Sequence, residues 1–472
     1  MKFNFIKKDG LFIKLIEIII DIILVNLGYY LAFYLRYNFQ PEYRNIGPFY
    51  EIVTYISIAT FLIFIFTNMF SNFRHSVLDI VFKLSASLLL LNITTAAITF
   101  FNRGFPFPRG IFFIAFLLQL ILISLSKSII AARLKSNYKQ KKIMIMGSKE
   151  ETNNIAKKLL LNKYNPDNLR YICNNIDKNI YGFIDDVDKI YIASSINSQV
   201  KSDIISYCIG KDKVVYLVPE LFEIAMINAR SVQLDDLPIF EIDNFHLSME
   251  NIMIKRTFDI IISFILIVLT LPIMAVVSLI IKLYDRGTVL FKQERVTLNN
   301  KKFNVYKFRT MVEDAEQKTG PIMASERDSR ITPLGGFLRA TRIDELPQLF
   351  NVFKGDMSIV GPRPERQHFI DQFTKNIPHF KYRVVVKAGL TGLAQVSGKY
   401  TTSPEDKVRF DLLYIRNYSF LLDLKIIAKT IRVIFTRESS SGIKKEERSL
   451  EEVFSDLDLK ASEEMSVTKV ED

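Results

Sequence analysis

Two neighbouring carboxylates, Asp344 and Glu345, stand in the run Arg342-Ile343-Asp344-Glu345-Leu346-Pro347-Gln348-Leu349, surrounded by an unusual density of anion binders. Pro347 is tolerated only in the first turn of a helix and Gly355 falls where such a helix should stop, so the acids sit where a short helix begins. The positive end of the helix dipole there favours carboxylate charge and lowers carboxyl pKa values. Successive helical positions point about 100° apart, so adjacent acids cannot chelate one point symmetrically and should divide the labour. Lys307 and Arg309 lie in Lys-Phe-Arg-Thr-Met, Arg339 and Arg342 lead into the acids, and Arg363 and Arg366 lie in Gly-Pro-Arg-Pro-Glu-Arg. Arginine is suited to bidentate phosphate recognition. Together these residues suggest phosphoryl transfer, with one carboxylate as nucleophile and the other holding a metal. Spacing alone leaves a plainer explanation open, an acidic helix start paired with surface arginines.

The elements that must position this set belong to a chain of 472 residues, long enough for several domains, with a net charge of +12. A basic, apolar chain could bind nucleic acid or a membrane. The apolar residues are gathered in long runs and no nucleic-acid reader motif accompanies the charge, so the membrane is the expected partner and nucleic acid is not. Four runs come first, Phe12–Leu35, Ile52–Phe70, Ile80–Phe101 and Gly110–Ile130. Each is about 20 residues, enough to cross about 30 Å of hydrocarbon. A cleaved signal peptide is not expected, because the first run is too long and no small-residue cleavage site follows. Lysines before the first run, and Lys127, Arg133, Lys135, Lys139, Lys141 and Lys142 at the end of the fourth, place both ends in the cytoplasm by the positive-inside rule. Glu17 and Asp21 share a face of the first run; they are either functional intramembrane acids or partners of Lys14 or Lys83.

After the runs, Lys142–Gly147 predicts a buried parallel strand ending in a glycine turn. Glu150–Leu161 and Ser202–Ile209 predict helices, and Lys189–Ala193 and Val214–Val218 further strands. Gly147-Ser148-Lys149-Glu150-Glu151 offers one glycine where close approach to a pyrophosphate needs three, so no bound dinucleotide is expected. Cys173 and Cys208 have neither metal spacing nor a CxxC pattern and read as buried thiols. A fifth apolar run, Phe258–Ile281, is interrupted by Pro272, which should kink it. Gln317–Arg339 predicts a loop with a short helix on the membrane, Val384–Lys387 a strand entering a glycine turn, and Ser403–Tyr418 an amphipathic helix. Residues from Glu438 onward are serine-rich, then acidic and without periodicity, as in a disordered tail.

One collinear series of motifs is far more specific than the dyad alone. It comprises Lys255-Arg256 through Asp259, Phe291–Val296, Lys307–Met311, Asp344–Glu365, Lys387–Gly398 and Tyr414–Ile427. From about Lys255 to Thr436 the chain resembles the bacterial sugar transferases, the polyprenyl-phosphate hexose-1-phosphate transferases. Two departures are Thr297, where a glycine is common in the family, and Leu271 before Pro272, where serine is common. The resemblance implies a multi-domain membrane protein. Its parts would be an α-helical transmembrane bundle (1–135), a Rossmann-like α/β middle domain (141–243), a mainly α monotopic catalytic domain (251–436) with a re-entrant helix (258–281), and the tail (438–472).

The resemblance also implies transfer of a hexose 1-phosphate, glucose or galactose, from a UDP-sugar to undecaprenyl phosphate, releasing UMP. That reaction would begin exopolysaccharide, capsule or O-antigen synthesis. Asp344 would attack phosphorus and carry the phosphosugar, and Glu345 would hold Mg²⁺. Lys307, Arg309, Arg342 and Arg363 would contact phosphates and uridine diphosphate, joined by Arg339 and Arg366. Asp423 would cap the last helix or reach the active site. The catalytic domain would lie on the cytoplasmic face of the bacterial inner membrane against lipid, with a homodimer the default assembly. Two rivals remain. One is a membrane scaffold for polysaccharide assembly, which has no reason to assemble the dyad and its basic shell. The other is an NAD-dependent nucleotide-sugar dehydratase or epimerase, whose Tyr-xxx-Lys spacing is present only as Tyr207 and Lys211.

Overall fold

The computed structural model describes residues 8–67, 69, 77–101, 107–136, 140–161, 167–175, 180–243, 245–312, 330–398, 402–434, 449–456, 460–464 and 467–471. They form two compact units, 1–139 and 140–472. Among the described residues five helices are long and apolar enough to cross a membrane, and the chain is a membrane protein.

The first unit is a bundle of α1 (Lys8–Arg36), α2 (Tyr43–Phe66), α3 (Val77–Phe101) and α4 (Arg109–Ser136). Its interior is aromatic, with Tyr29, Phe33, Phe49 and Phe107 buried in mutual ring contact. Gly28 lets α1 and α4 touch, since a Cβ there would lie 2.4 Å from Gln119 Cγ. Glu17 and Asp21 pair with Lys127 on α4, whose Nζ donates to Glu17 and, at 2.6 Å, to Asp21 Oδ2, while the side chain of Lys14 lies outside the described residues. Lys127 had counted as a flanking charge in the sequence; the buried acids draw it inward because an unpaired charge inside a bundle is costly.

The second unit opens with β1 (Lys142–Met146), α5 (Lys149–Leu160), β2 (Asn168–Cys173), α6 (Ile180–Asp185), β3 (Lys189–Ile192), α7 (Ser198–Cys208), β4 (Val214–Leu217) and α8 (Leu221–Met226). The strands β2-β1-β3-β4 form a parallel sheet. Gly147 ends β1 at φ 156°, where a Cβ would lie 2.3 Å from that of Ala193. Cys173 and Cys208 are buried thiols. Tyr207 and Lys211 both bond Asp185, at 2.8 and 3.1 Å. An antiparallel hairpin, β5 (Arg230–Leu234) and β6 (Leu237–Glu241), leads into the catalytic part.

There follow α9 (Met249–Asp285), the antiparallel pair β7 (Leu290–Val296) and β8 (Lys302–Phe308), α10 (Pro333–Ala340), α11 (Gln348–Lys354), β9 (Ser358–Val360), α12 (Gln367–Asn376), β10 (Gly389–Thr391), α13 (Leu393–Ser397), α14 (Pro404–Arg416) and α15 (Phe420–Ile434). The strand expected at Val384–Lys387 is displaced: residues Pro378–Val385 form a 3₁₀ helix, and β10 pairs in parallel with β9. Glycines decide the register, because a Cβ on Gly389 would lie 2.1 Å from Gly361 N. Ser403 caps α14 as its sequence predicts, accepting from Asp406 N at 3.2 Å. Most of the expected loop after Gln317 lies outside the described residues.

Past residue 448 the structure corrects the expectation of a disordered tail. There α16 (Leu450–Asp456), β11 (Lys460–Glu464) and β12 (Val467–Glu471) extend the sheet, β12 running antiparallel to β2. Phe454 and Val470 supply the buried contacts with Ala156 and Ile172. So few apolar residues suffice because backbone pairing to an existing edge strand does most of the holding.

Helix α9 is one continuous element of 37 residues with Pro272 inside it. Its buried residues run Lys255, Asp259 and Ser263 before the proline and Met274, Val277 and Ile281 after it. Between them Val268, Leu269, Leu271 and Ile273 are exposed while Ile267 and Thr270 are half-buried, so the helix presents an apolar outer face around the proline. Its first turns are anchored by polar bonds. Lys255 Nζ meets Asp423 Oδ2 at 2.7 Å, and Asp259 accepts from Ser358 Oγ and Ile359 N at 3.0 and 2.9 Å. Lys255 and Asp423 are both buried. Lys255→Met should therefore destabilise the catalytic unit by about 3–5 kcal/mol, the cost of stranding one partner of a buried ion pair. Thermal unfolding followed by circular dichroism checks this; an unchanged midpoint would contradict the anchoring.

Candidate active site

The strand β8 and helix α11 build the site between them. Asn351, fully buried, makes α11 part of the hairpin: its Nδ2 donates to Asn304 O at 2.8 Å and its Oδ1 accepts from Tyr306 N at 3.0 Å. That fixes Lys307, one residue further along β8, opposite the turn that enters α11. The turn is a 3₁₀ segment, Ile343–Glu345, reached through Arg342 at φ 59°, with Pro347 preceding the first helical residue and Gly355 closing α11 at φ 98°. The acids thus precede the helix, as their spacing predicts.

Their environments differ. Glu345 Oε1 accepts from Lys307 Nζ at 2.7 Å and from Arg363 Nη2 at 3.3 Å. Burial pushes the Glu345 carboxyl up, but Lys307 and Arg363 outweigh it and hold the carboxyl well below the usual range. Asp344 is 7% exposed, and its Oδ1 is buried with no hydrogen-bond partner. Burial first, and then the neighbouring Glu345 charge, push the Asp344 carboxyl up, with Lys307, Arg339 and Arg342 opposing. Glu345 is lowered by these cations and not by a helix dipole, and for Asp344 the dipole expectation fails because desolvation prevails.

Of the other cations, Arg339 and Arg342 act on Asp344, whereas Arg309 and Arg366 are placed by other contacts. Arg339, on α10, donates from Nε to Thr310 Oγ1 at 2.8 Å. Gly335 lets α10 lie against that strand end, since a Cβ there would sit 2.0 Å from Thr310 O. Arg309 is 9% exposed and packs on Gly287, where a Cβ would meet its guanidinium at 2.2 Å. Arg366 precedes α12 as its cap residue. Asp423 is taken elsewhere: it bonds Lys255 and, through Oδ1, the Tyr414 hydroxyl at 2.8 Å, tying α9, α14 and α15 together. Thr297, at the family's usual glycine position, is buried and uses its hydroxyl twice, donating to Asp356 O and accepting from Ala388 N.

The sequence reading overlooked Asn351 and the buried pair Arg383–Asp411. Each left a signal: asparagine inside a helix, and an acid on the apolar face of α14 beside Val408, Leu412 and Ile415.

No group of three or more acidic, histidine or cysteine side chains suited to a metal occurs among the described residues. A single ionised carboxylate still suits Mg²⁺, which keeps waters and takes its remaining ligands from substrate phosphates. Glu345, held ionised, has that character; Asp344, with its carboxyl pushed up, is the weaker ligand and the more basic nucleophile. Chemically the arrangement sets a desolvated carboxylate beside one clamped by Lys307 and Arg363.

Residues 250–437 match the family model for bacterial sugar transferases. The chain is similar to a UDP-N-acetylgalactosamine-undecaprenyl-phosphate N-acetylgalactosaminephosphotransferase of Aeromonas hydrophila, at 46% identity over 39% of this chain and 44% of that protein. It is similar to a UDP-glucose:undecaprenyl-phosphate glucose-1-phosphate transferase of Klebsiella pneumoniae, at 36% over 54% of this chain and 56% of that protein. An uncharacterised sugar transferase of Bacillus subtilis matches at 40% over 39% of this chain and 89% of its own length. The chain thus spans about half the length of the first two relatives.

If Lys307 sets the state of Glu345, Lys307→Met should raise the Glu345 carboxyl back toward the ordinary glutamate range. Carbon-13 NMR titration of glutamate-labelled protein reads this directly, and an unmoved titration would remove Lys307 from the clamp.

Proposed function

The chain belongs to the bacterial sugar transferase family, and from that premise we propose that it moves a sugar 1-phosphate from a UDP-sugar to undecaprenyl phosphate, releasing UMP. The observation that carries this reading is the unequal condition of Asp344 and Glu345. In the proposed first step an Asp344 carboxylate oxygen bonds the sugar-bearing phosphorus, and the bond from that phosphorus to the bridging oxygen breaks, so UMP leaves with the oxygen. In the second, a phosphate oxygen of the lipid attacks the same phosphorus and the Asp344–phosphorus bond breaks, restoring the carboxylate. Splitting the transfer spares the site from holding two polyanions at once.

Glu345 would hold Mg²⁺, whose positive charge would offset that of the diphosphate. Lys307, Arg342 and Arg363 surround the acids as donor-phosphate contacts; Arg309, Arg339 and Arg366 are assigned to the outer part of the same anion site. Asp423, bonded to Lys255, acts as an anchor for α9.

Both ends of α9 are buried against one soluble unit while its middle is exposed and apolar. A kink at Pro272 inside this continuous helix would let it dip into one leaflet and return, which would set the dyad at headgroup height on the cytoplasmic side, where nucleotide sugars are made. The similarity to N-acetylgalactosamine and glucose enzymes widens the donors to test beyond glucose and galactose.

Asp344→Asn should abolish UMP release while circular dichroism stays unchanged; UMP production at the wild-type rate would remove Asp344 from its role. The donors to screen are UDP-glucose, UDP-galactose and UDP-N-acetylgalactosamine. Glu345→Gln should chiefly raise the Mg²⁺ concentration needed for half-maximal rate, and an unaltered metal titration would contradict the division of labour. Because Asp344 attacks only when ionised and its carboxyl is pushed up, kcat/KM should fall, as pH drops, through a midpoint above that of an ordinary aspartate. A pH–rate profile with its acid limb at or below the ordinary value of about 3.9 would be inconsistent with this.

A further inference from the structure

Arg363 reaches Glu345 from the loop Gly361–Arg366, and its side chain is 44% exposed. Something must therefore hold its backbone still. Packing does so on only one side, since the loop's inner face borders a cavity lined by Pro362, Arg363, Glu365, Arg383 and Val386. Backbone bonds fix the loop at its two ends: Gly361 N donates to Thr391 O and Gly389 N to Pro362 O, each at 2.8 Å, and Val296 N donates to Glu365 O at 3.0 Å.

The Arg363 carbonyl between those ends is gripped by a side chain. Arg383 Nη2 donates to it at 3.1 Å, and the same nitrogen meets Asp411 Oδ2 on α14 at 2.7 Å. Arg383 Nη1 lies 4.0 Å from Glu365 Oε1, and the guanidinium stands over the Phe380 ring at 4.8 Å. Arg383 and Asp411 are 6% and 1% exposed at the side chain, too deep to touch a donor or a lipid. A buried ion pair is expensive, and hydrophobic residues of similar volume often replace one without loss. Its presence here calls for a use beyond stability, and the Arg363 carbonyl supplies it. A guanidinium has donors for both a carboxylate and a carbonyl in fixed directions, which an ammonium lacks.

We propose that Arg383, oriented by Asp411, is a positioning residue that sets Arg363 at the height where it meets both Glu345 and the donor diphosphate. The proposal rests on the sugar-phosphate transfer described above for what Arg363 binds, but not for how Arg363 is held.

The experiment uses the full chain in lipid nanodiscs with Arg383→Lys, Asp411→Asn, Arg363→Ala and the Arg363→Ala/Arg383→Lys double variant. Hydrogen exchange at the amides of Gly361, Arg363, Glu365 and Arg366 should quicken in Arg383→Lys and Asp411→Asn, with β1 amides unaffected. In UMP release, KM for the UDP-sugar should rise about tenfold in Arg383→Lys, the scale of one lost charge-assisted hydrogen bond, with kcat changed less than about threefold. In the Arg363→Ala background, Arg383→Lys should add no further rise in KM. Unchanged exchange in Arg383→Lys, or KM effects that multiply in the double variant, would overturn the proposal. Should the wild type release no UMP from any donor, the transfer reading fails, and the exchange data alone decide how Arg363 is held. Should Asp411→Asn unfold, Arg383→Lys, which keeps the charge, carries the test.

Discussion

Two carboxylates on adjacent residues repel one another, and the catalytic unit resolves that repulsion unequally. Glu345 is given two cations at bonding distance and stays ionised despite its burial. Asp344 is given little but burial, and its Oδ1 is left without a partner. An orphaned buried carboxylate oxygen is expensive, so a structure that tolerates one invests stability in reactivity. Strain at Arg342, a non-glycine residue at φ 59°, belongs to the same turn.

The membrane element is tied to this site by polar contacts. Lys255 and Asp259 emerge from the first turns of an otherwise apolar helix and bond Asp423, Ser358 and Ile359. An apolar face could slide along the protein, and lipid would solvate it as well as protein does. Buried charge with specific partners cannot slide, because any other register strands it. The helix is thereby indexed to β9, and β9 leads directly into the loop that carries Arg363.

The α/β module is joined to the catalytic helices in a related way. At the ends of β1 and β3, where open parallel sheets usually receive a ligand, Glu151 accepts from Ser195 N at 3.0 Å and from the Ser194 hydroxyl. Arg409 of α14 also bonds Ser194 Oγ, at 2.9 Å, and Lys158 pairs with Asp406 at 2.7 Å. Arg416, at the other end of α14, donates to Ala225 and Ile227 carbonyls. The helix carrying Asp411 is thus bonded near both its ends to the α/β module.

Much of this was legible in the residues alone. Long apolar runs set the membrane helices, short apolar runs marked β1, β3 and β4, and Pro347 and Gly355 bracketed the helix behind the acids, because these are local constraints on backbone and solvent. The motif series was collinear enough to place the dyad and its basic shell. Local rules misplaced the strand near Gly389, missed β2 and the strands near the C-terminus, and did not find Lys127 as the partner of Glu17 and Asp21. Each of those outcomes depends on what lies opposite in space. The unequal condition of Asp344 and Glu345 belongs with them: two adjacent acids are symmetric in sequence, and only the arrival of Lys307 and Arg363 from other elements, with exclusion of water from Asp344, makes them different.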